Sequence, residues 1–375
     1  MIRNLHWGDV AELKYGKSLR EYPETSSEEN RFRVFGTNGP IGWHKTPLVD
    51  RPGIVIGRKG AYRGVHYSDG PFFVIDTAYY LDIRDPQIDL KWAFYQLSTV
   101  DINRMDSGSA IPSTKREDFY AVPVAIPPLM IQLRIAETLS AYDDLIENNR
   151  RRMALLEEAA RLLYREWFVR LRFPGHEHAR ITNGLPHGWK QMTLGDLCTD
   201  VREAASPDQL EPETPYIGLE HMPRRSISLS EWRQADQVTS TKHRFREGEI
   251  LFGKIRPYFH KVGVAFVDGV ASSDAIVIRP RNSKFRGLLL MTVSSDPFVA
   301  VTAQTMKEGS KMPRADWKQM KQYVVPLPPD GLRNSFESVI QPIVEQLKAL
   351  TFLNQKLRTA RDLLLPRLMS GEIAV

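Results

Sequence analysis

The sequence has a single cysteine, Cys198, among its 375 residues. That excludes an internal disulfide and any cysteine-rich zinc site, and it leaves Cys198 as a small apolar filler near the start of a strand. No apolar run approaches the ~20 residues of a membrane-spanning helix. The amino-terminal MIRNLHWGDVAELKYG has no continuous apolar core of the signal-peptide kind. A soluble, cytoplasmic chain with no membrane partner is expected. Signatures of catalysis are missing as well. There is no G-x-x-x-x-G-K-S/T loop, no G-x-G-x-x-G after a strand, no Asn/Asp-Pro-Pro-aromatic motif, no G-x-S-x-G and no H-E-x-x-H. No catalytic residue, metal ligand or cofactor is therefore assigned to this chain. The HEH at 176–178 offers only two histidines in a Pro- and Gly-containing stretch, which reads as a linker rather than a metal site.

What is present is an ordinary globular composition, 42% hydrophobic and 26% charged, with a net charge of +6 that suits a polyanionic partner without proving one. The length fits two domains. The chain also repeats itself. GSAIPSTKREDFYAVPVAIPP (108–128) is answered by GSKMPRADWKQMKQYVVPLPP (309–329) at an offset of 201. Leu156, Ala159, Leu162 and Leu163 match Leu357, Ala360, Leu363 and Leu364 at the same offset. Upstream the offset shrinks. Gly57-Arg58 and Tyr62 match Gly253-Lys254 and Tyr258 at 196, and Gly8-Asp9 matches Gly195-Asp196 at 187. The second copy thus carries 201 − 187 = 14 extra residues, most of them before Gly253. Common ends with divergent middles suggest two modules doing one job on different targets.

Each copy reads as an α+β unit. GIVIG (53–57) and FFVIDTAYYLDI (72–83) are expected as strands and LKWAFYQLST (90–99) as a short helix. In the second copy the strands are EILFGK (249–254), VGVAFV (262–267) and DAIVIRP (274–280), and the helix is FRGLLLMTVSS (285–295). After each Pro-Pro the period becomes heptad-like. The first seam runs Ile135, Leu139, Tyr142, Ile146, Asn149, Met153 and Leu156, and continues to Trp167. The second runs Phe336, Ile340, Ile343, Leu347, Leu350, Asn354 and Leu357, and continues to Leu368. Two long helices packed on each other follow. The first would span roughly 60 Å at ~1.5 Å per residue. Asn149 and Asn354 either fix register from inside the seam or face water at a splayed point. Pro342 either starts the second helix or kinks it. The expected organisation is domain 1–128, helix 129–170, linker 171–189, domain 190–329 and helix with tail 330–375.

With IGRKGAY (56–62), FPGHE followed by GLPHGW, and LLLPRLMSGEI (363–373), the chain resembles the specificity subunit of type I restriction-modification systems. The resemblance implies two target-recognition domains in a pseudo-twofold repeat, joined by two helices packed as an antiparallel coiled coil. Each domain would read one half of a bipartite, asymmetric sequence in double-stranded DNA. The helices would set the gap and dock two modification subunits, which bind S-adenosylmethionine and methylate adenine. Restriction subunits, where present, would be two and would bring ATP and Mg. The chain itself would be non-catalytic. The rival readings are a stand-alone DNA methyltransferase or nuclease, and a coiled-coil scaffold that binds only protein.

Within that frame the DNA-contact candidates are the recurrent basic turns. Arg58, Lys59, Tyr62 and Arg63 form one cluster; Lys254, Arg256, Tyr258, His260 and Lys261 form the other. The Gly-Ser segments add Ser109, Lys115 and Arg116 in the first copy and Ser310 and Lys311 in the second. These either contact phosphate or only orient the chain into the helix. Asn38, in FGTNG, is a base-reading candidate without a counterpart, and His221, Arg224 and Arg225 are others in the inserted region.

Overall fold

The apolar runs of the first copy form two small sheets in this computed structural model, which describes residues 2–105, 111–304 and 313–375. Strands Ala11–Tyr15, Ala78–Ile83, Gly53–Gly57 and Val65–Ser68 lie side by side, all antiparallel. Strands Gly39–His44, Phe32–Gly36 and Phe72–Val74 make the other, the last pair parallel. The run 72–83, expected as one strand, is two strands in different sheets. A turn, closed by Ala78 N–H donating to Ile75 O at 3.0 Å, breaks it. Arg3–His6 pairs with Pro123–Ile126 and ties the domain's two ends together.

The second copy repeats this frame. Cys198–Val201, Ala275–Pro280, Ile250–Gly253 and Val262–Ala265 take the same order, with Ser228–Leu229 added parallel at the edge. Lys190–Thr193 pairs with Val324–Leu327 as the terminal clasp. The extra residues widen the second sheet to five strands: Ala204–Ala205, Lys242–Phe245, Gly269–Ala271, Pro215–Ile217 and Arg233–Gln234.

The repeated Gly-Asp has a local cause. Asp9 accepts the His6 N–H, and Asp196 the Thr193 N–H, both at 2.8 Å; each caps a one-turn helix after the clasp strand. A Cβ on Gly8 would come within 2.7 Å of Tyr120 Cβ, so a side chain does not fit there.

The first long helix spans Leu129–Tyr164 and ends in a π-helical turn, Arg165–Val169. The second spans Asp330–Met369 and passes Pro342 without a break, so it neither restarts nor stops there. Ile340 and Leu347, fully buried on either side, hold the helix across the lost hydrogen bond. Backbone contacts group Met1–Ile146 with Lys356–Val375 as one unit and Glu147–Gln355 as the other. In the first unit Ile135 and Leu139 share a core with Leu368. In the second, Ala160 and Trp167 share a core with Phe336, Ile340 and Leu347. Within each unit the helix segments therefore run antiparallel. Ile146 and Leu350 are buried on the seam, while Tyr142, Met153, Leu156, Ile343 and Leu357 are half-buried. Asn149 and Asn354, 4% and 5% exposed, bond to each other at 2.9 Å, which answers the choice left open by their position.

Side chains on the long helices brace the domains. Gln132 accepts the Asp89 N–H at 2.8 Å and donates to Gln87 O and Pro127 O, fixing the start of helix Leu90–Ser98. Glu337 accepts the Gly287 and Leu288 N–H groups at 2.9 Å at the start of helix Arg286–Val293. Buried Glu157 accepts from Ser226, Ser228 and Arg161. The linker also packs, because Phe173 and Trp189 are buried and Ile181–Thr182 pairs with Leu185–Pro186. Cys198 is buried at the start of its strand, and burial pushes its thiol up to about 12.

Candidate nucleic-acid interface

In the first domain, strand Gly53–Gly57 runs into the basic turn. Gly57 N–H donates to Gly64 O at 2.8 Å, and Gly64 N–H to Thr37 O at 3.0 Å. A Cβ on Gly57 would lie 2.4 Å from Thr37 O, so only glycine permits this approach. Gly60 N–H donates to Pro112 O at 3.0 Å, Thr114 N–H to Arg58 O at 2.9 Å, and Arg58 N–H to Thr77 O at 2.9 Å. Three sequence-distant stretches therefore meet: the Thr37-Asn38 turn, the basic turn, and the chain after the Gly-Ser.

The second domain repeats these bonds at matched positions. Gly253 N–H donates to Lys261 O at 2.9 Å, and Arg256 N–H to Pro313 O at 2.9 Å. Ala315 N–H donates to Lys254 O at 2.9 Å, and Lys254 N–H to Asp274 O at 2.7 Å. The repeat is thus a repeat of backbone bonding, which tolerates sequence drift because it uses no side chains.

The side chains divide into presented and committed groups. Tyr62 is 80% exposed and its counterpart Tyr258 is 53% exposed. Lys59, Asn38, Lys115 and Arg256 are exposed too. Arg63 is not available: it is 4% exposed and its guanidinium donates to Ile102 O and Asn103 O. Arg58 and Arg116 are half-spent. Their guanidiniums lie 4.8 and 4.1 Å from the Tyr15 ring and donate to Asp76 O and Leu13 O. His260 is buried, its Nε2 2.7 Å from Ser294 O. Lys254 donates to Ser273 O and Lys261 to Leu219 O, and burial lowers both amines from their ordinary pKa. Ser109, Ser310 and Lys311 lie outside the described residues.

Arg224 stacks over Phe259 at 4.3 Å, and Arg225 pairs with Asp296. Arg225, Arg256 and His260 all have positive φ, 56°, 48° and 55°, a conformation that costs energy in non-glycine residues. Sequence reasoning missed Tyr15 and Asn103, whose roles depend on contacts far along the chain. Among the described residues no group of three His, Cys, Asp or Glu side chains is arranged to hold a metal. No helix among them is long and apolar enough to cross a membrane.

The family description "type I restriction modification DNA specificity domain" matches the chain twice, at residues 5–158 and 186–359. The MjaIX type I restriction enzyme specificity subunit of Methanocaldococcus jannaschii is 24% identical, over 98% of this chain and 85% of that one. The EcoDI specificity subunit of Escherichia coli is 23% identical, over 87% of this chain and 78% of that one. The crystal structure of the type I restriction-modification S subunit from M. genitalium shares the fold. Its TM-score is 0.59 at 18% identity, covering 98% of this chain and 96% of that one. Two copies of the specificity domain in one chain account for the internal repeat, and the chain belongs to the DNA-specificity subunits, the non-catalytic members, of type I restriction-modification systems.

Proposed function

We propose that each recognition domain reads one half of a bipartite, asymmetric DNA sequence, and that the long helices hold the gap and dock two modification subunits. The carrying observation is the matched set of backbone bonds that puts a basic turn with an exposed tyrosine in both copies. Lys59, Lys115 and Arg256 position phosphates. Tyr62, Tyr258 and Asn38 approach the bases. Half-sites on one face of B-DNA lie about 34–36 Å or a multiple apart, a span that calls for a rigid spacer. Leu145, Leu155 and Leu162 on the first helix, with Leu353 and Leu363 on the second, are large and exposed. Apolar surface of this kind suits helices of the modification subunits. Those subunits bring S-adenosylmethionine and methylate adenine; restriction subunits, where the system has them, bring ATP and Mg. The complex acts in the cytoplasm, where the host DNA lies.

The test replaces residues 190–328 with the equivalent segment of another specificity subunit and maps methylated adenines made by the reconstituted complex. One half of the recognised sequence should change and the other stay. A change in both halves, or methylation without regard to sequence, would contradict the modular reading.

A further inference from the structure

Asn38, without a counterpart by sequence, has one in the backbone of the second domain. In the first domain Ile75 N–H donates to Phe35 O at 3.0 Å, and Ala78 N–H to Ile75 O at 3.0 Å. In the second, Ser272 N–H donates to Ile217 O at 3.0 Å, and Ala275 N–H to Ser272 O at 2.8 Å. Both sets follow a parallel strand pair, Phe32–Gly36 with Phe72–Val74 and Pro215–Ile217 with Gly269–Ala271. Phe35 therefore matches Ile217, at an offset of 217 − 35 = 182. The next residues, Gly36, Thr37 and Asn38, match Gly218, Leu219 and Glu220. This offset falls below both the 187 at Gly8 and the 196 at Gly57. The second copy is thus shorter before the turn and longer after it, which hides the match from the sequence.

Each of these turns is fastened to the end of its basic turn. Thr37 O accepts the Gly64 N–H at 3.0 Å, and Leu219 O accepts from the Lys261 amine at 2.6 Å. Gly64 and Lys261 are matched too, because their carbonyls accept the N–H of Gly57 and of Gly253. The residue after the fastened carbonyl is exposed in both domains. It is Asn38 in one and Glu220, with 63% of its side chain accessible, in the other. The Glu220 carboxylate stands 3.9 Å from His221 Nε2, beyond hydrogen-bond reach, and Lys261 spends its amine on the backbone instead. The two residues differ in what they can bind. A carboxylate repels phosphate and can only accept hydrogen bonds. In the major groove the donors are exocyclic amino groups, and the carboxylate's usual partner is cytosine N4. An asparagine both donates and accepts, and it suits adenine.

We propose that Glu220 is a specificity-determining residue of the second recognition domain, its carboxylate accepting from the N4 amino group of a cytosine in the major groove, at the position that Asn38 holds in the first domain. The assignment rests on the reading of each domain as a DNA reader. It makes the turn after the parallel strand a shared reading position, whose residue selects a different base in each half-site.

The test uses the full chain assembled with its modification subunits. Methylation is measured on duplexes carrying each single-base change in either half-site. Glu220 is exposed, so its variants leave the fold intact. Glu220→Ala should lower discrimination about tenfold at one G·C position of the second half-site, within the range of a lost base contact. Glu220→Gln has nearly the same shape but can donate, and it should gain activity on the duplex with adenine in place of that cytosine. A side chain that only supports the turn would not move the preference from one base to another. Asn38→Ala should relax one position of the first half-site and leave the second alone. Unchanged discrimination in Glu220→Ala, equal loss on every duplex, or relaxation at an A·T position would overturn the assignment of Glu220 alone. A wild-type complex blind to sequence would overturn the DNA-reading function and the assignment with it.

Discussion

In the first recognition domain, Arg58 and Arg116 lie against Tyr15, and Asn38 sits on a turn that meets the basic loop. In the second, the positions matching Tyr15 and Arg116 are Arg202 and Trp317, and the turn that meets the basic loop is Leu219–His221, which follows a strand paired parallel with Gly269–Ala271 as Phe32–Gly36 is with Phe72–Val74. Yet the same four backbone hydrogen bonds hold both loops. Divergence lies in side chains and in insertions on both sides of the basic turn, while the frame is kept by groups that every residue carries. A family that must change its target without losing its shape gains from that separation: new contacts can be tried without touching the bonds that hold the loop.

The largest asymmetry to test lies in the cores beneath the loops. Phe336 is fully buried, with ring centroids 4.8 Å from Phe168 and 5.7 Å from Trp167. Its counterpart in the first copy, at the offset of 201, is Ile135, 3% exposed. Phe336→Ala should cost about 3–5 kcal/mol and Ile135→Ala about 2–5 kcal/mol, each in its own unit. Hydrogen exchange of the full chain in urea should show the loss localised to Glu147–Gln355 for the first variant and to the other unit for the second. Equal loss of protection throughout the chain would mean that the units do not unfold separately.

A smaller asymmetry sits on the helical seam. The offset of 201 relates Asn149 to Leu350 and Asn354 to Met153, so the polar pair occurs once and its symmetry mate is apolar. A slip of one heptad would set Asn149 against Leu347 and leave its amide unmet. The pair thus selects register in a way that the leucines, which recur every heptad, do not. Asn149→Leu alone strands Asn354 and should cost about 1–3 kcal/mol. Adding Asn354→Leu should recover most of that. Thermal melts of the two single variants and the double close the cycle. Strictly additive losses would show that the two amides do not depend on each other.

Much of this was legible in the sequence. The repeat, the short strands at 53–57 and 250–253, the helix at 90–98 and both heptad seams follow from periodicity and punctuation. Sequence gave no warning where residues far apart meet. Arg63 sits in a basic turn and looks free, but carbonyls some forty residues on, at Ile102 and Asn103, claim it. Gln132 and Glu337 look like ordinary polar helix positions, yet each braces a domain helix. The run 72–83 looks continuous because its apolar pattern hides a turn that moves its two parts into different sheets. In each case a local pattern was read correctly and a tertiary partner decided its use.

The smallest effect concerns acid. Burial lowers the pKa of His221, His243 and His260 in the second unit, and of His66 in the first. Each folded imidazole resists a proton that the unfolded chain accepts near its ordinary value of about 6.5. The unfolded state therefore binds more protons below that pH, and stability falls as the pH drops. The contribution is complete above about 6.5 and is lost progressively below it. Glu12, Asp85, Asp196 and Asp208 are held below the usual carboxylate range and titrate under this window. Glu337, whose pKa burial raises, works in the opposite direction, its contribution growing as the pH falls. With three depressed histidines against one, Glu147–Gln355 should lose more protection between pH 7.5 and 5.5. Hydrogen exchange corrected for the intrinsic rate at each pH measures this directly. Equal losses in the two units would mean that these imidazoles are solvated when the chain is folded.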